Sequence, residues 1–141
     1  MNKIDEFRGK YYFLSNFYEA KVTYNGITYE NNESAFQAQK QPSIAHTFSH
    51  LNPSQAKSKG RRVILRNDWE KLKDNIMYEI CKCKFTQNED LKQKLLDTGD
   101  AELIEGNTWN DVYWGVCRAR GKNHLGKILM KVREELRSEN K

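Results

Sequence analysis

The apolar positions of this chain divide into a β-rich N-terminal part and a longer stretch in which they recur at helical spacing. Tyr11 to Leu14 is aromatic enough to predict a short strand, and Ser15-Asn16 reads as a polar turn after it. In Lys21-Val22-Thr23-Tyr24-Asn25-Gly26-Ile27-Thr28-Tyr29 two β-rich arms flank an Asn-Gly pair, which accepts the positive φ angles of a type I′ turn, so a hairpin is expected. Asn32 offers a cap for a helix beginning at Glu33, and Pro42 stops it. Asn52-Pro53-Ser54 through Lys59-Gly60 reads as a short capped helix, with proline at its first position and glycine just past its end.

Further along, Asn67 with Glu70 predicts a long helix to about Phe85, with Trp69, Leu72, Ile76, Ile80 and Cys83 as its apolar stripe. Thr86 with Glu89 repeats the capping-box pattern before Leu91, Leu95 and Leu96, and Gly99 closes that helix. Leu125, Ile128, Leu129, Val132 and Leu136 define a last amphipathic helix. The composite is α+β: a mainly helical domain with a small antiparallel sheet or hairpin. No repeat or linker divides it, so residues 1–141 are expected to form a single domain.

Composition adds bounds to this picture. A chain of 141 residues with 38% hydrophobic, 30% charged and 11% aromatic positions is large enough for one core and too aromatic for disorder. No apolar run approaches the roughly 18 residues that span a bilayer, and the first residues, MNKIDEFRGK, are polar, so a cytoplasmic protein with no membrane association is expected. Cys81, Cys83 and Cys117 are odd in number and lack a CxxC spacing, which argues against a disulfide framework or a structural zinc site. The formal net charge of +5 favours anionic partners such as phosphates, nucleotides or nucleic acid.

Several groups of residues are suited to chemistry. On a helix, Gln37 lies about 40° to one side of Glu33 and Lys40 about 20° to the other, so a carboxylate, an amide and an amine share one stripe, with Ala35 and Ala38 opposite. A solvated face of ordinary polar residues fits that spacing at least as well. Phe7, Tyr11, Tyr12, Phe13, Phe17 and Tyr18 are suited to stacking on a base or equally to a core, with Ser15 and Asn16 as hydrogen-bonding groups between them. Glu105, Asp111 and Trp114-Gly115 lie in an irregular stretch; carboxylates stabilise an oxocarbenium-like cation and indoles stack on rings, although surface acids are as plain a reading. Arg61, Arg62 and Arg66 offer guanidinium forks to a phosphate or, more plainly, to solvent. His46 and His50 are spaced as two helical metal ligands, but no third ligand motif accompanies them, so no metal is assigned. Gly121 to Gly126 matches neither a P-loop nor a dinucleotide fingerprint.

Taken in order, Phe7-x-Gly9, Phe13-Leu14-Ser15-Asn16-Phe17-Tyr18, Gly26, Tyr29, Glu33-x-Ala35-Phe36-Gln37-Ala38-x-Lys40, Trp69, Met77, Lys84-Phe85, Thr98-Gly99-Asp100, Leu103, Glu105, Trp114-Gly115, Gly121-x-Asn123-x-Leu125-Gly126 and Leu129-Met130-x-x-Val132-Arg133 resemble the NADAR/YbiA-like family over residues 7–133. One departure is Ser34, where the family often has histidine. The resemblance implies an N-glycosidase that hydrolyses the C1–N bond of a phosphorylated ribosyl substrate, with no cofactor. A ribosylamino pyrimidine phosphate of the riboflavin pathway and ADP-ribosylated guanine, free or in nucleic acid, are the implied substrates; a module that binds ADP-ribose without turnover is the alternative. It implies Lys40, Glu33, Glu105 and Asp111 as catalytic residues and Ser15, Asn16, Phe17, Gln37, Trp69, Trp114 and Asn123 as substrate contacts. Either a carboxylate activates water while a second acid protonates the leaving nitrogen, or the Lys40 amine attacks the anomeric carbon and forms a Schiff base.

Overall fold

A computed structural model describes residues 2–139. Its elements run β1 (Lys3–Ile4), a 3-10 helix Gly9–Leu14, β2 (Glu19–Tyr24), β3 (Ile27–Asn31), α1 (Asn32–Ala38), a 3-10 helix Pro42–Phe48, α2 (Pro53–Gly60), α3 (Trp69–Gln87), α4 (Glu89–Asp97), β4 (Glu102–Leu103) and α5 (His124–Glu139). The class is α+β, as the hydrophobic pattern predicts. The chain folds as two compact units, one from Asn16–Asn88 and one from its two ends, up to Ser15 and from Glu89 onward.

In the middle unit the hairpin forms where Asn-Gly permits it. Asn25 and Gly26 take φ values of 50° and 82°, and β2 and β3 pair antiparallel around them. Val22 and Tyr29, opposite one another, are wholly buried. The end of α3 is tied to the hairpin by one side chain: Gln87 Oε1 accepts from the Thr23 N–H at 2.7 Å, and Gln87 Nε2 donates to the Thr23 carbonyl at 2.9 Å.

Helix α1 is capped one residue earlier than expected. Asn31, not Asn32, has the extended cap conformation, and its Oδ1 accepts from the Ser34 N–H at 2.7 Å. The helix also stops before Pro42. The N–H groups of Gln39 and Lys40 donate three residues back, to Phe36 and Gln37, tightening the chain into a turn. Lys40 therefore sits past the helix rather than on its stripe. All seven residues of α1 are buried, so the solvated-face reading fails.

Helix α2 carries a full capping box between Asn52 and Gln55, with Gly60 as its last residue rather than the one beyond it. Helix α3 starts after Asp68, which makes no side-chain cap, instead of at Asn67. Its buried face holds Trp69, Ile76, Met77, Ile80, Cys81, Lys84 and Phe85, so the stripe is turned slightly from the predicted one and leaves Leu72 and Cys83 partly exposed.

In the unit formed by the chain ends, Tyr11 to Leu14 is part of a 3-10 helix and not a strand; Phe13 and Leu14 are its buried residues. The strands β1 and β4 pair in parallel, Lys3 with Glu102 and Ile4 with Leu103. Thr86 does not cap α4, because its hydroxyl donates to the Lys82 carbonyl at 2.8 Å within α3. Helix α5 buries Leu125, Leu129, Val132 and Leu136 on the predicted face. Among the described residues no helix is long and apolar enough to cross a membrane.

The Cys117–Arg120 turn is closed by backbone bonds in both directions, and its central residues, Arg118 and Ala119, take φ values of 54° and 65°. An alanine in that region costs about 1–2 kcal/mol, more than the extra chain entropy that glycine loses on folding, roughly 0.4–1 kcal/mol. Ala119→Gly is expected to raise stability by about 0.5 kcal/mol in urea unfolding; a loss of stability would contradict this account of the turn.

Candidate functional site

The middle unit assembles a site from the bottom of α1 upward. Asn16 receives the Glu33 N–H on its carbonyl at 3.0 Å and the Asn32 amide on its Oδ1 at 3.3 Å, which fixes the entry to α1. Glu33 is then 9% exposed, an unusual environment for a carboxylate. One turn on, Gln37 Nε2 donates to Glu33 Oε2 at 2.6 Å, a charge-assisted bond that sets the carboxylate's orientation.

Gln37 is held in turn by the absence of a side chain. A methyl group placed on Gly60 would overlap Gln37 Oε1 and Cδ, so glycine there lets the last turn of α2 close onto α1 with the Gln37 amide in place. Gln37 Oε1 has no hydrogen-bond partner among the described residues. Gly60→Ala is expected to lower stability by about 1–3 kcal/mol through overpacking and to release Glu33 from its clamp. In a double-mutant cycle Gln37→Ala should relieve most of the stability loss caused by the new methyl group; additive losses would place the strain elsewhere.

Lys40 lies on the turn that follows. Its carbonyl accepts from the Arg66 N–H at 2.9 Å and its own N–H donates to Gln37, so the backbone is pinned from both sides. The amine is half-buried, 5.9 Å from the centre of the Trp69 ring, which itself meets Phe36 at 5.0 Å. Burial pushes its pKa below the usual lysine value; Glu33 opposes that shift, while Arg61, Lys73 and Lys57 add to it. The net result is an amine with an enlarged neutral fraction beside a buried carboxylate.

The other unit organises a second group of predicted residues. Asn123, at φ 54°, accepts from the Glu105 N–H at 3.0 Å and donates to the Leu103 carbonyl at 2.9 Å, so its amide holds backbone at both ends. Asp111 Oδ1 accepts from the N–H groups of Tyr113 and Trp114 at 3.1 and 2.9 Å. Asn107 completes the loop by accepting from the Asp111 N–H at 3.1 Å and donating to the Asp111 carbonyl at 2.9 Å. Gly115 again serves close approach, since a methyl group there would overlap the Glu105 carbonyl and its carboxylate. Trp114 meets Tyr113 edge to face at 4.9 Å.

The structure thus brings Asn16, Glu33, Gln37, Lys40 and Trp69 together in the middle unit, which also carries Phe17. Ser15, Glu105, Asp111, Trp114 and Asn123 belong to the unit of the chain ends. Sequence reasoning missed Gly60, Lys57, Lys73 and Phe36. The first two were within reach, because Lys57, Gly60 and Arg61 stand at i, i+3 and i+4 on one helical face. Arg66 is less available to a ligand than its sequence suggested: its guanidinium holds Asp68 at 2.6 and 3.3 Å. Among the described residues no group of three His, Cys, Asp or Glu is placed to hold a metal ion.

Comparison with known proteins places this geometry in context. The family model described as the NADAR domain matches residues 5–137. An N-glycosidase YbiA of Escherichia coli is 35% identical over 130 residues, covering 87% of this chain and 80% of that protein. A riboflavin biosynthesis protein of Vibrio vulnificus is 37% identical over 130 residues, covering 88% of this chain but only 35% of that longer protein. The NMR structure of the E. coli protein YbiA superposes with a TM-score of 0.88 at 33% identity, over 99% of this chain and 87% of the other.

Proposed function

Because this chain belongs to the NADAR family, we propose that it is an N-glycosidase, a hydrolase that breaks the bond between the anomeric carbon of a ribosyl group and a base nitrogen. The observation that carries the mechanism is the half-buried Lys40 amine, with lowered pKa, beside the buried Glu33 that Gln37 clamps. Neutral Lys40 attacks C1 as the C1–N bond to the base breaks and the departing nitrogen takes a proton. In the adduct the ring bond between C1 and O4′ then breaks, O4′ taking up a proton as the nitrogen gives up its own, which leaves a Schiff base between C1 and Nζ; water then releases the aldehyde form of the sugar and restores the amine. Glu33 accepts and returns protons in these steps or binds the ribose hydroxyls. Trp69 presents its ring to the amine, 5.9 Å from the ring centre.

The form in which Glu105 or Asp111 activates water draws less support. One oxygen of Asp111 is engaged by two backbone amides, which suits it to holding its loop. The Ser34 hydroxyl donates to the Leu51 carbonyl at 3.0 Å, so the proposed mechanism draws nothing from it.

The names of the relatives support a ribosyl substrate. We take the substrate to be phosphorylated: a ribosylamino pyrimidine phosphate or ADP-ribosylated guanine. Both are offered to the purified protein in parallel and release of base and sugar is followed by mass spectrometry. Consumption of one or both is expected. Binding of ADP-ribose without consumption of either would overturn the enzymatic reading in favour of a nucleotide-binding module.

A further inference from the structure

Two helices bring positive charge to the turn that carries Lys40. Lys57, Gly60 and Arg61 share one face of α2, the face on which Gly60 closes against Gln37. That close approach carries the two flanking cations toward α1 at the position of the Glu33–Gln37 pair. On α3, Lys73 follows Trp69 by four residues and so shares the side over which the Lys40 amine sits. Lys73 is partly neutralised, because its amine is 2.7 Å from Glu70. Lys57 and Arg61 have no such partner: among the described residues neither forms an ion pair. Lys57 lies 6.0 Å from the centre of the Phe17 ring.

Unpaired cations gathered beside a buried carboxylate repel one another and the Lys40 ammonium. The arrangement is stabilised when an anion is present, and a guanidinium fork with an ammonium suits a tetrahedral oxyanion. We propose that Lys57 and Arg61 form the subsite that holds a phosphoryl group of the substrate next to Lys40. The inference rests on the N-glycosidase reading for the identity of the bound molecule, but not for the binding itself. Arg66, tied to Asp68, lies outside the subsite.

The cations have a second effect on the same amine. Lys57 on α2, Arg61 just past its end and Lys73 on α3 oppose protonation of Lys40, Glu33 on α1 favours it, and burial outweighs each of them. Removing Arg61 should therefore move the pH dependence of turnover upward, a response that a merely structural residue would not give.

The test compares Lys57→Met, Arg61→Gln and their double variant with Lys21→Met, which removes one exposed charge from β2. Binding of ribose 5-phosphate, of ribose and of a short single-stranded oligonucleotide is measured by calorimetry. Tighter binding of ribose 5-phosphate than of ribose is expected, with losses of about tenfold per substitution at the subsite and no loss in Lys21→Met. If the oligonucleotide alone shows these losses, the phosphoryl group recognised belongs to a nucleic-acid backbone. Equal losses in Lys21→Met, or wild-type affinities in the double variant, would overturn the subsite. If turnover is absent while subsite-dependent binding persists, the N-glycosidase reading fails and the subsite stands. If the double variant cleaves phosphorylated and dephosphorylated substrates in the same ratio as wild type, the subsite fails and the enzyme reading stands.

Discussion

Replacing Lys40 with methionine is expected to lower N-glycosidase turnover by about 10³-fold or more while the protein remains folded. Methionine keeps the apolar stem that packs near Trp69 and removes only the amine, so little packing is lost. Stability should hold or rise slightly, since a half-buried charge no longer has to be desolvated. The wild-type rate should also report the amine's titration. Neutral Lys40 is the nucleophile, so turnover falls as pH drops through its pKa, and that limb lies below the ordinary lysine value because burial disfavours the ammonium. A Lys40→Met protein with wild-type turnover would remove the amine from the mechanism.

The second large effect concerns a lysine that the mechanism does not use. Lys84 is 1% exposed, 5.6 Å from the Tyr18 ring centre and 5.1 Å from that of Phe85. Desolvation pushes its pKa from 10.5 to about 8. Below about pH 8 both folded and unfolded chains hold the proton, and the folded state bears the cost of burying it. Between about 8 and 10.5 the unfolded chain alone holds it, so this group makes stability rise with pH. The shift corresponds to roughly 3 kcal/mol, which the ammonium's contacts, the two aromatic rings among them, offset in part. Lys84→Met is expected to stabilise the fold by about 1–2 kcal/mol near pH 7, with the advantage shrinking toward pH 9. The Cys81 thiol, raised to about 12 by burial and drawn down by the Lys84 charge, pulls the other way above pH 9, so the two proteins are compared below that pH. Urea unfolding of both proteins across that range checks it; destabilisation of Lys84→Met at neutral pH would show that the ammonium's contacts outweigh its desolvation.

What the sequence made legible was local. Asn25-Gly26 carries its turn within two residues, and α5 displays its buried face through spacing alone, so both were readable. The parallel pairing of β1 with β4 joins two-residue strands from distant parts of the chain, and no local pattern encodes it. Tyr11 to Leu14 reads as a strand because its run of aromatic residues suits a sheet as readily as the helical turn that buries Phe13 and Leu14. In the site, the spacing of Glu33 and Gln37 revealed a shared face, but the close approach of Gly60 to Gln37 comes from another helix. Lys40 was recognisable by resemblance, whereas its true position, beyond the end of α1 on a turn pinned by Arg66, depends on contacts made after folding.

The most direct test of Lys40 as the nucleophile is to add borohydride during turnover of a ribosyl substrate and map the modified peptide by mass spectrometry. Reduction of the Schiff base should leave the sugar's mass on Lys40 and inactivate the protein in step with labelling. Active turnover with no adduct, or with an adduct on another lysine, would contradict the mechanism.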